Sequence, residues 1–210
     1  MGIKLAHIRK NYQKSKLSDG DVIGDPFLLF ENWYNEAVKN GESEPNAMVL
    51  STVNGNKPSA RIVLLKELSE GSFLFFTNYN SRKGNELKLN PFVALTLFWP
   101  GLERQVRIEG EVGKLRSDVS ENYFNSRPEE SRISAIISPQ SQVIPSKKFL
   151  EDKFTGFISA NQPIQRPEHW GGYRCIPESI EFWQGGEHRL HDRIRFTKEI
   201  ENWKIERLAP

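Results

Sequence analysis

Hydrophobic and polar positions change period twice along this 210-residue chain. Phe27, Phe30, Trp33, Tyr34, Ala37 and Val38 recur roughly on one helical face, behind an Asp25 cap and Pro26 at the first helical position, and the run stops at Gly41. From Ala47 the period shortens to that of strands, predicting 47–53, a turn at Asn54-Gly55, then 59–66, 72–77, 92–99 and 104–114. A short helix interrupts them after Asn80-Ser81-Arg82-Lys83-Gly84 and must end near Asn90-Pro91.

Asp118 and Glu121 have the spacing of a capping box, predicting a helix towards Pro128 and a second one beyond it. Ser146 starts another helix, carrying Phe149, Leu150 and Phe154. After the loop 160–168, rich in proline and glutamine, strands are expected near 172–176, 179–184, 188–196 and 202–208. Residues 1–24 are polar and mixed, and read as a partly mobile N-terminal arm that orders against something else. Residues 25–210 then form a single domain. Strands with short connections predict a mainly β protein, an antiparallel barrel with peripheral α-helices.

Composition narrows the chemistry. A formal net charge of +2, with dispersed arginines, argues against a nucleic-acid partner. The single cysteine, Cys175, excludes an intrachain disulfide framework, offers no thiol cluster for a metal, and suits a core position. No run is long and apolar enough to span a membrane, and residues 1–16 lack the apolar core of a secretory signal. A cytoplasmic protein without membrane or metal is the expectation.

Four clusters could carry chemistry. Taken as a strand, 188–196 puts Arg189, His191, Arg193 and Arg195 on one face and Leu190, Ile194 and Phe196 on the other. Such a row of cations suits open solvent or a site for an anion. Arg82 and Lys83 in a first helical turn oppose the helix dipole unless a bound anion reverses the balance, and Gly84 allows close backbone approach; a solvated loop is the competing reading. Arg61 and Lys66 flank an apolar strand and, five apart, face opposite ways, or merely terminate it. Tyr123, Arg127 and Ser131 recur every four residues, aligning if the helices flanking Pro128 stay nearly collinear. They would make a donor set for a phosphate monoester, or an ordinary polar helix face.

The string Glu181, Phe182, Trp183, Arg189, His191, Asp192 and Arg193, with its spacing, closely resembles the C-terminal signature of the pyridoxamine/pyridoxine 5′-phosphate oxidases. The resemblance extends over about residues 5–210 and is strongest at 61–66, 81–83 and 180–193. It implies the split-barrel fold that binds flavin mononucleotide (FMN), and a homodimer with flavin in the subunit interface. It also implies oxidation of pyridoxamine 5′-phosphate and pyridoxine 5′-phosphate to pyridoxal 5′-phosphate, with O2 as acceptor and H2O2 as product.

By the same resemblance, Arg61, Arg82 and Lys83 hold the flavin phosphate, Ile62, Val63, Leu64 and Leu65 lie along the flavin, and Lys66 touches flavin and substrate. Phe76, Thr77, Gln105, Gln140, Ser141, Trp183 and Arg193 match further cofactor positions; Phe76 stands where many relatives carry tyrosine, so a main-chain contact would survive there and a phenol contact would not. Tyr123, Arg127 and Ser131 would grip the substrate phosphate. Arg189 and His191 would contact the substrate ring and assist proton removal, with Leu190 beside them. Arg9, Lys10, Asn11 and Tyr12 match a segment that folds over the substrate. Two other readings stand beside this one: a related split-barrel oxidase acting on another ring, of the phenazine type, and a non-catalytic protein binding flavin or pyridoxal phosphate.

Overall fold

The computed structural model describes residues 2–8, 11–22 and 24–210. Its helices are α1 (Pro26–Lys39), α2 (Arg82–Leu89), α3 (Ser117–Ser126), α4 (Glu129–Ile137) and α5 (Lys147–Ser159). Its strands are β1 (Ala47–Asn54), β2 (Lys57–Leu64), β3 (Glu67–Ser69), β4 (Ser72–Asn78), β5 (Phe92–Trp99), β6 (Arg104–Lys114), β7 (Trp170–Gln184), β8 (Asp192–Lys198) and β9 (Trp203–Arg207). The strand order is β2-β1-β5-β6-β7-β4-β3, with β8 pairing β7 and β9 pairing β8.

Local chemistry explains most of the boundaries. Asp25 accepts the Phe27 N–H at 2.8 Å to open α1, and Ser146 accepts that of Phe149 at 3.2 Å to open α5. The box expected at Asp118 does not form, because the Asp118 carboxylate is taken by the Arg116 guanidinium and α3 starts without a side-chain cap. The two strands expected at 172–176 and 179–184 are one continuous β7, while the strand expected from residue 188 begins only at Asp192. Residues 187–189 make a 3₁₀ turn instead, with His188 at φ 54° and Arg189 at φ 64°. Left-handed backbone at non-glycine residues costs of order 1–3 kcal/mol each, so the surrounding contacts must hold this turn.

The chain divides into two compact units, one formed by the described part of 1–49 with 95–109 and 177–210, the other by 50–94 and 110–176. In the first, α1 buries Leu29, Phe30, Trp33 and Ala37. Trp33 meets Phe182 edge-on at 5.2 Å, and Phe182 meets Phe196 at 5.7 Å. Phe182 and Phe196 are fully buried, each contributing roughly 1.5–3 kcal/mol. The β7–β8 register sets Trp183 opposite Arg193 and Glu181 opposite Arg195. Residues 13–17 are tied into this unit: the Glu103 carboxylate accepts the N–H groups of Gln13 and Lys14, and Asp192 accepts that of the buried Leu17.

In the second unit, β4 pairs antiparallel with β7, setting Phe75 opposite Tyr173, Phe76 opposite Gly172 and Asn78 opposite Trp170. Cys175 is buried opposite Phe73, as its composition suggested. At the start of α2, a Cβ on Gly84 would run into the Tyr79 carbonyl. The close backbone approach that glycine permits there is therefore to this chain's own backbone.

Candidate active site

In the second unit, Ser81 caps α2, Lys83 reaches Thr77 on β4, and Arg82 bonds back onto its own helix. Four residues on, Glu86 is 3% exposed and carries the charge that these cations need. Its carboxylate accepts from Arg82 Nε at 2.8 Å, Arg61 Nη2 at 3.1 Å and the Thr52 hydroxyl. Burial pushes the Glu86 carboxyl upward, but the bonds from Thr52 and Arg82 and the charges of Arg61 and Arg82 bring it below its usual value.

Lys83 is different. Its ammonium meets the oxygens of Thr77 at 3.1 Å, Gln140 at 2.9 Å and Ser81 at 3.4 Å, and among the described residues it has no carboxylate partner. Burial, and then the charge of Arg61, lower it to about 8, against a smaller upward pull from Glu86. Three cations and one carboxylate leave a formal 3 − 1 = +2 on Arg61, Arg82, Lys83 and Glu86, which matches one phosphate dianion.

Beside this cluster lies a cavity of about 470 Å³, within the usual range for small-molecule sites. Ile62, Val63, Leu64 and Lys66 border it on one side, and Phe76, Thr77, Lys83 and Gln140 belong to the same lining. Tyr123, Arg127 and Ser131 also line it, although α3 and α4 are not one collinear helix: Arg127 and Pro128 are extended, at ψ 151° and 145°. β2 ends at Leu64, so Lys66 reaches the cavity from beyond the strand, while Arg61 donates to Glu86, Thr52, Ser59 and the Leu50 carbonyl and brings its charge to the Glu86 cluster beside the cavity. Leu65 is buried and Ser141 is exposed, at φ 70°.

An aromatic wall accounts for the geometry around Arg127. Phe76 stacks on Tyr123 at 3.9 Å and on Trp170 at 5.7 Å, and the Arg127 guanidinium lies over Trp170 at 4.7 Å. Arg127 Nη1 is buried without a hydrogen-bond partner among the described residues, and desolvation lowers its guanidinium below the usual arginine range. A buried guanidinium N–H left unmatched is a donor awaiting an acceptor.

The other expected residues fall in the first unit. Here a cavity of about 650 Å³ is lined by Asn11, Tyr12, Arg189 and His191, among others. His191 lies 4.8 Å from Trp183, centroid to centroid, and Tyr12 stands edge-on to both rings, at 5.5 Å from Trp183 and 5.7 Å from His191. Leu190 is exposed. Arg193 forks onto Glu181 at 2.9 and 3.0 Å and donates to the Ala209 carbonyl, and Glu181 raises it further above the usual arginine value. Gln105 is half-buried on β6. Arg9 and Lys10 lie outside the described residues.

Three contributors escaped the sequence. Glu86 was readable in principle as the i+4 partner of Arg82. Trp170 gives no local signal, since its place follows from pairing with β4, 92 residues earlier at Asn78. The third is the backbone N–H of Gly186, which donates to His191 Nδ1 at 3.1 Å and has no side chain to announce it.

Comparison with known proteins decides the family. Residues 34–159 match the description pyridoxamine 5′-phosphate oxidase, and 170–210 match the pyridoxine 5′-phosphate oxidase C-terminal dimerisation region. The chain belongs to the pyridoxamine 5′-phosphate oxidase family. It is 53% identical to a pyridoxine/pyridoxamine 5′-phosphate oxidase of Leptospira interrogans over the whole of both chains, and 49% identical to one of Neisseria gonorrhoeae over 98% of this chain and 99% of that one. Among solved structures, PhzG of Burkholderia lata 383, in complex with tetrahydrophenazine-1-carboxylic acid, superposes with a TM-score of 0.86 at 26% identity, covering 91% of this chain and 95% of PhzG. A pyridoxamine 5′-phosphate oxidase-related, FMN-binding protein of Nostoc punctiforme, at 15% identity and TM-score 0.71 over 86% of this chain and 97% of that one, shares the fold. The oxidase family fold is a split β-barrel of the FMN-binding type, mainly β with peripheral helices, as the sequence led one to expect. Among the described residues, no helix is long and apolar enough to cross a membrane.

Proposed function

We propose that this chain is a cytoplasmic, FMN-dependent oxidase that converts pyridoxamine 5′-phosphate and pyridoxine 5′-phosphate to pyridoxal 5′-phosphate, reducing O2 to H2O2. The observation that carries this reading is the lining of one cavity by both Lys83, a half-buried cation with no carboxylate partner among the described residues, and Arg127, a half-buried guanidinium whose buried Nη1 has an unmatched N–H. Two anion-seeking groups around one apolar and aromatic space suit a phosphorylated cofactor and a phosphorylated ring substrate. The donor chemistry fits FMN: Arg61, Arg82 and Lys83 would hold its phosphate, with Ile62, Val63 and Leu64 beside its ring.

Bound FMN supplies the two-electron acceptor that no side chain can provide, and passes those electrons to O2. The protein's share is orientation. Lys66, Tyr123, Arg127 and Ser131 fix the substrate by its phosphate, leaving the exocyclic 4′ carbon that bears the amine or alcohol at a set distance from the grip. The Phe76, Tyr123 and Trp170 rings give that end an apolar wall and limit water. Arg189 and His191 meet the substrate ring oxygens. The chain acts as a homodimer through the region 170–210, and each flavin site draws on both copies.

The similarity to PhzG favours one other substrate class, a reduced phenazine carboxylic acid. The test is turnover: purified protein should carry yellow, extractable FMN and form pyridoxal 5′-phosphate with stoichiometric peroxide. Oxidation of a reduced phenazine with none of pyridoxine 5′-phosphate would favour the second reading. Flavin binding without turnover of either would reject both.

A further inference from the structure

His191 is held at one nitrogen only. The Gly186 N–H donates to Nδ1 at 3.1 Å, and among the described residues Nε2 has no hydrogen-bond partner. A backbone N–H is always a donor, so Nδ1 must offer its lone pair, and a neutral imidazole then carries its proton on Nε2. The constraint is built into the turn. Gly186 precedes the 3₁₀ turn 187–189, in which His188 and Arg189 take left-handed backbone, and this reversal brings residue 191 back to the amide of residue 186. The close packing leaves no spare room, since a Cβ on Gly186 would run into the Leu190 carbonyl. The imidazole is also flanked by Trp183 and Tyr12.

We propose that the Gly186 amide is a positioning group that locks His191 as its Nε2–H tautomer, so that His191 serves the substrate as a hydrogen-bond donor and not as a proton acceptor. This rests on the oxidase reading for the identity of the substrate. Nε2 already bears a proton, and the Nδ1 lone pair is committed to Gly186, so neutral His191 has no free basic nitrogen. Arg189 cannot accept a proton either, because its guanidinium stays charged. Of the two roles expected for this pair, contact with a ring oxygen survives and proton removal does not. The fixed donor suits an oxygen that is anionic or gains negative charge as the reaction proceeds.

The direct test is nitrogen NMR of the FMN-loaded protein with ¹⁵N-labelled histidine, at alkaline pH where imidazole is neutral. The chain has four histidines, and the His191 signals are identified by their loss in His191→Gln. The expected result is a protonated Nε2 and an unprotonated Nδ1. The reverse tautomer, or an equal mixture, would overturn the proposal even if the enzyme turns over pyridoxine 5′-phosphate; absence of turnover with the expected tautomer would count against the oxidase reading alone. Kinetics give the second arm. Gln keeps an N–H donor and cannot act as a base, so His191→Gln should reduce flavin anaerobically within about tenfold of wild type, whereas His191→Leu should fall at least tenfold below His191→Gln. Equal losses in the two variants would overturn the donor role.

Discussion

Arg61 and Glu86, 25 residues apart, meet at 3.1 Å on a carboxylate that is almost wholly buried. The pair ties β2 to α2, and Arg82 closes the other carboxylate oxygen from the same helix. Most of the energetic weight falls on Arg61, whose side chain is 19% exposed against 64% for Arg82.

Replacing Glu86 with Gln should therefore destabilise the flavin-free protein by about 1–3 kcal/mol, the cost of leaving buried charged donors poorly matched. It also raises the formal charge of the cluster from +2 to +3. A bound phosphate should recover part of the loss, so the rise in thermal midpoint on adding FMN should be larger in Glu86→Gln than in wild type. An equal or smaller rise would show that Glu86 does not balance the phosphate site. The sign with pH follows from its lowered carboxyl: the stabilisation is present above the ordinary value of 4.5 and is lost as pH falls through the lower folded value. Glu86→Gln should flatten that acid limb.

Lys83 titrates near 8 in the flavin-free protein, and only its charged form attracts a phosphate. FMN affinity should decline as pH rises through this range, while riboflavin, which lacks the phosphate, should show no matching decline. For folding the sign is opposite: a lysine depressed from 10.5 binds more protons when unfolded, so its contribution to stability rises with pH between about 8 and 10.5. Lys83→Met should remove both dependences. FMN titrations with identical slopes in the two proteins would disconnect Lys83 from the phosphate.

Arg127→Ala should weaken binding of the phosphorylated substrate by about 1.5–3 kcal/mol, through loss of a charge-assisted hydrogen bond, and leave flavin content nearly unchanged. Equilibrium dialysis of pyridoxal 5′-phosphate against the FMN-loaded variant reads the first quantity, and extracted flavin the second. Loss of flavin with unchanged ligand affinity would reverse the assignment of the two phosphate sites.

The strands were legible because one face of each is buried, and alternation records that directly: β1 and β5 hide every second residue along most of their length. Two helix starts were legible because Asp25 and Ser146 cap them with their own side chains. What failed in the sequence were features decided by competition. Asp118 has the spacing of a capping residue, yet a guanidinium two positions back outbids the backbone for its oxygens. The alternation of 188–196 continues through Arg189 and His191, but left-handed backbone at residues 188 and 189 removes them from the strand. The site divides similarly. Tyr123, Arg127 and Ser131 meet at one cavity despite the extended break between their helices, because the cavity is fixed by α3, α4 and β4 together. No spacing rule could have shown that Arg61 is engaged by Glu86, which depends on β2 and α2 meeting in space.

The proposed homodimer, formed through residues 170–210, predicts a concentration-dependent thermal midpoint and elution at twice the monomer mass. Adding FMN should raise the midpoint further, since flavin bound across two copies, as proposed, would stabilise both folding and assembly. A monomer with full flavin occupancy and activity would contradict the shared site.

Under the proposed function, electrons pass from the phosphorylated substrate to flavin held by this chain. Mixing FMN-loaded protein with pyridoxine 5′-phosphate under anaerobic conditions, and following the visible flavin absorbance in a stopped-flow instrument, measures that step alone. The expected result is bleaching that saturates with substrate, formation of one pyridoxal 5′-phosphate per flavin, and return of the yellow colour with peroxide when O2 is admitted. A flavin that stays oxidised at saturating pyridoxine 5′-phosphate and pyridoxamine 5′-phosphate would contradict it.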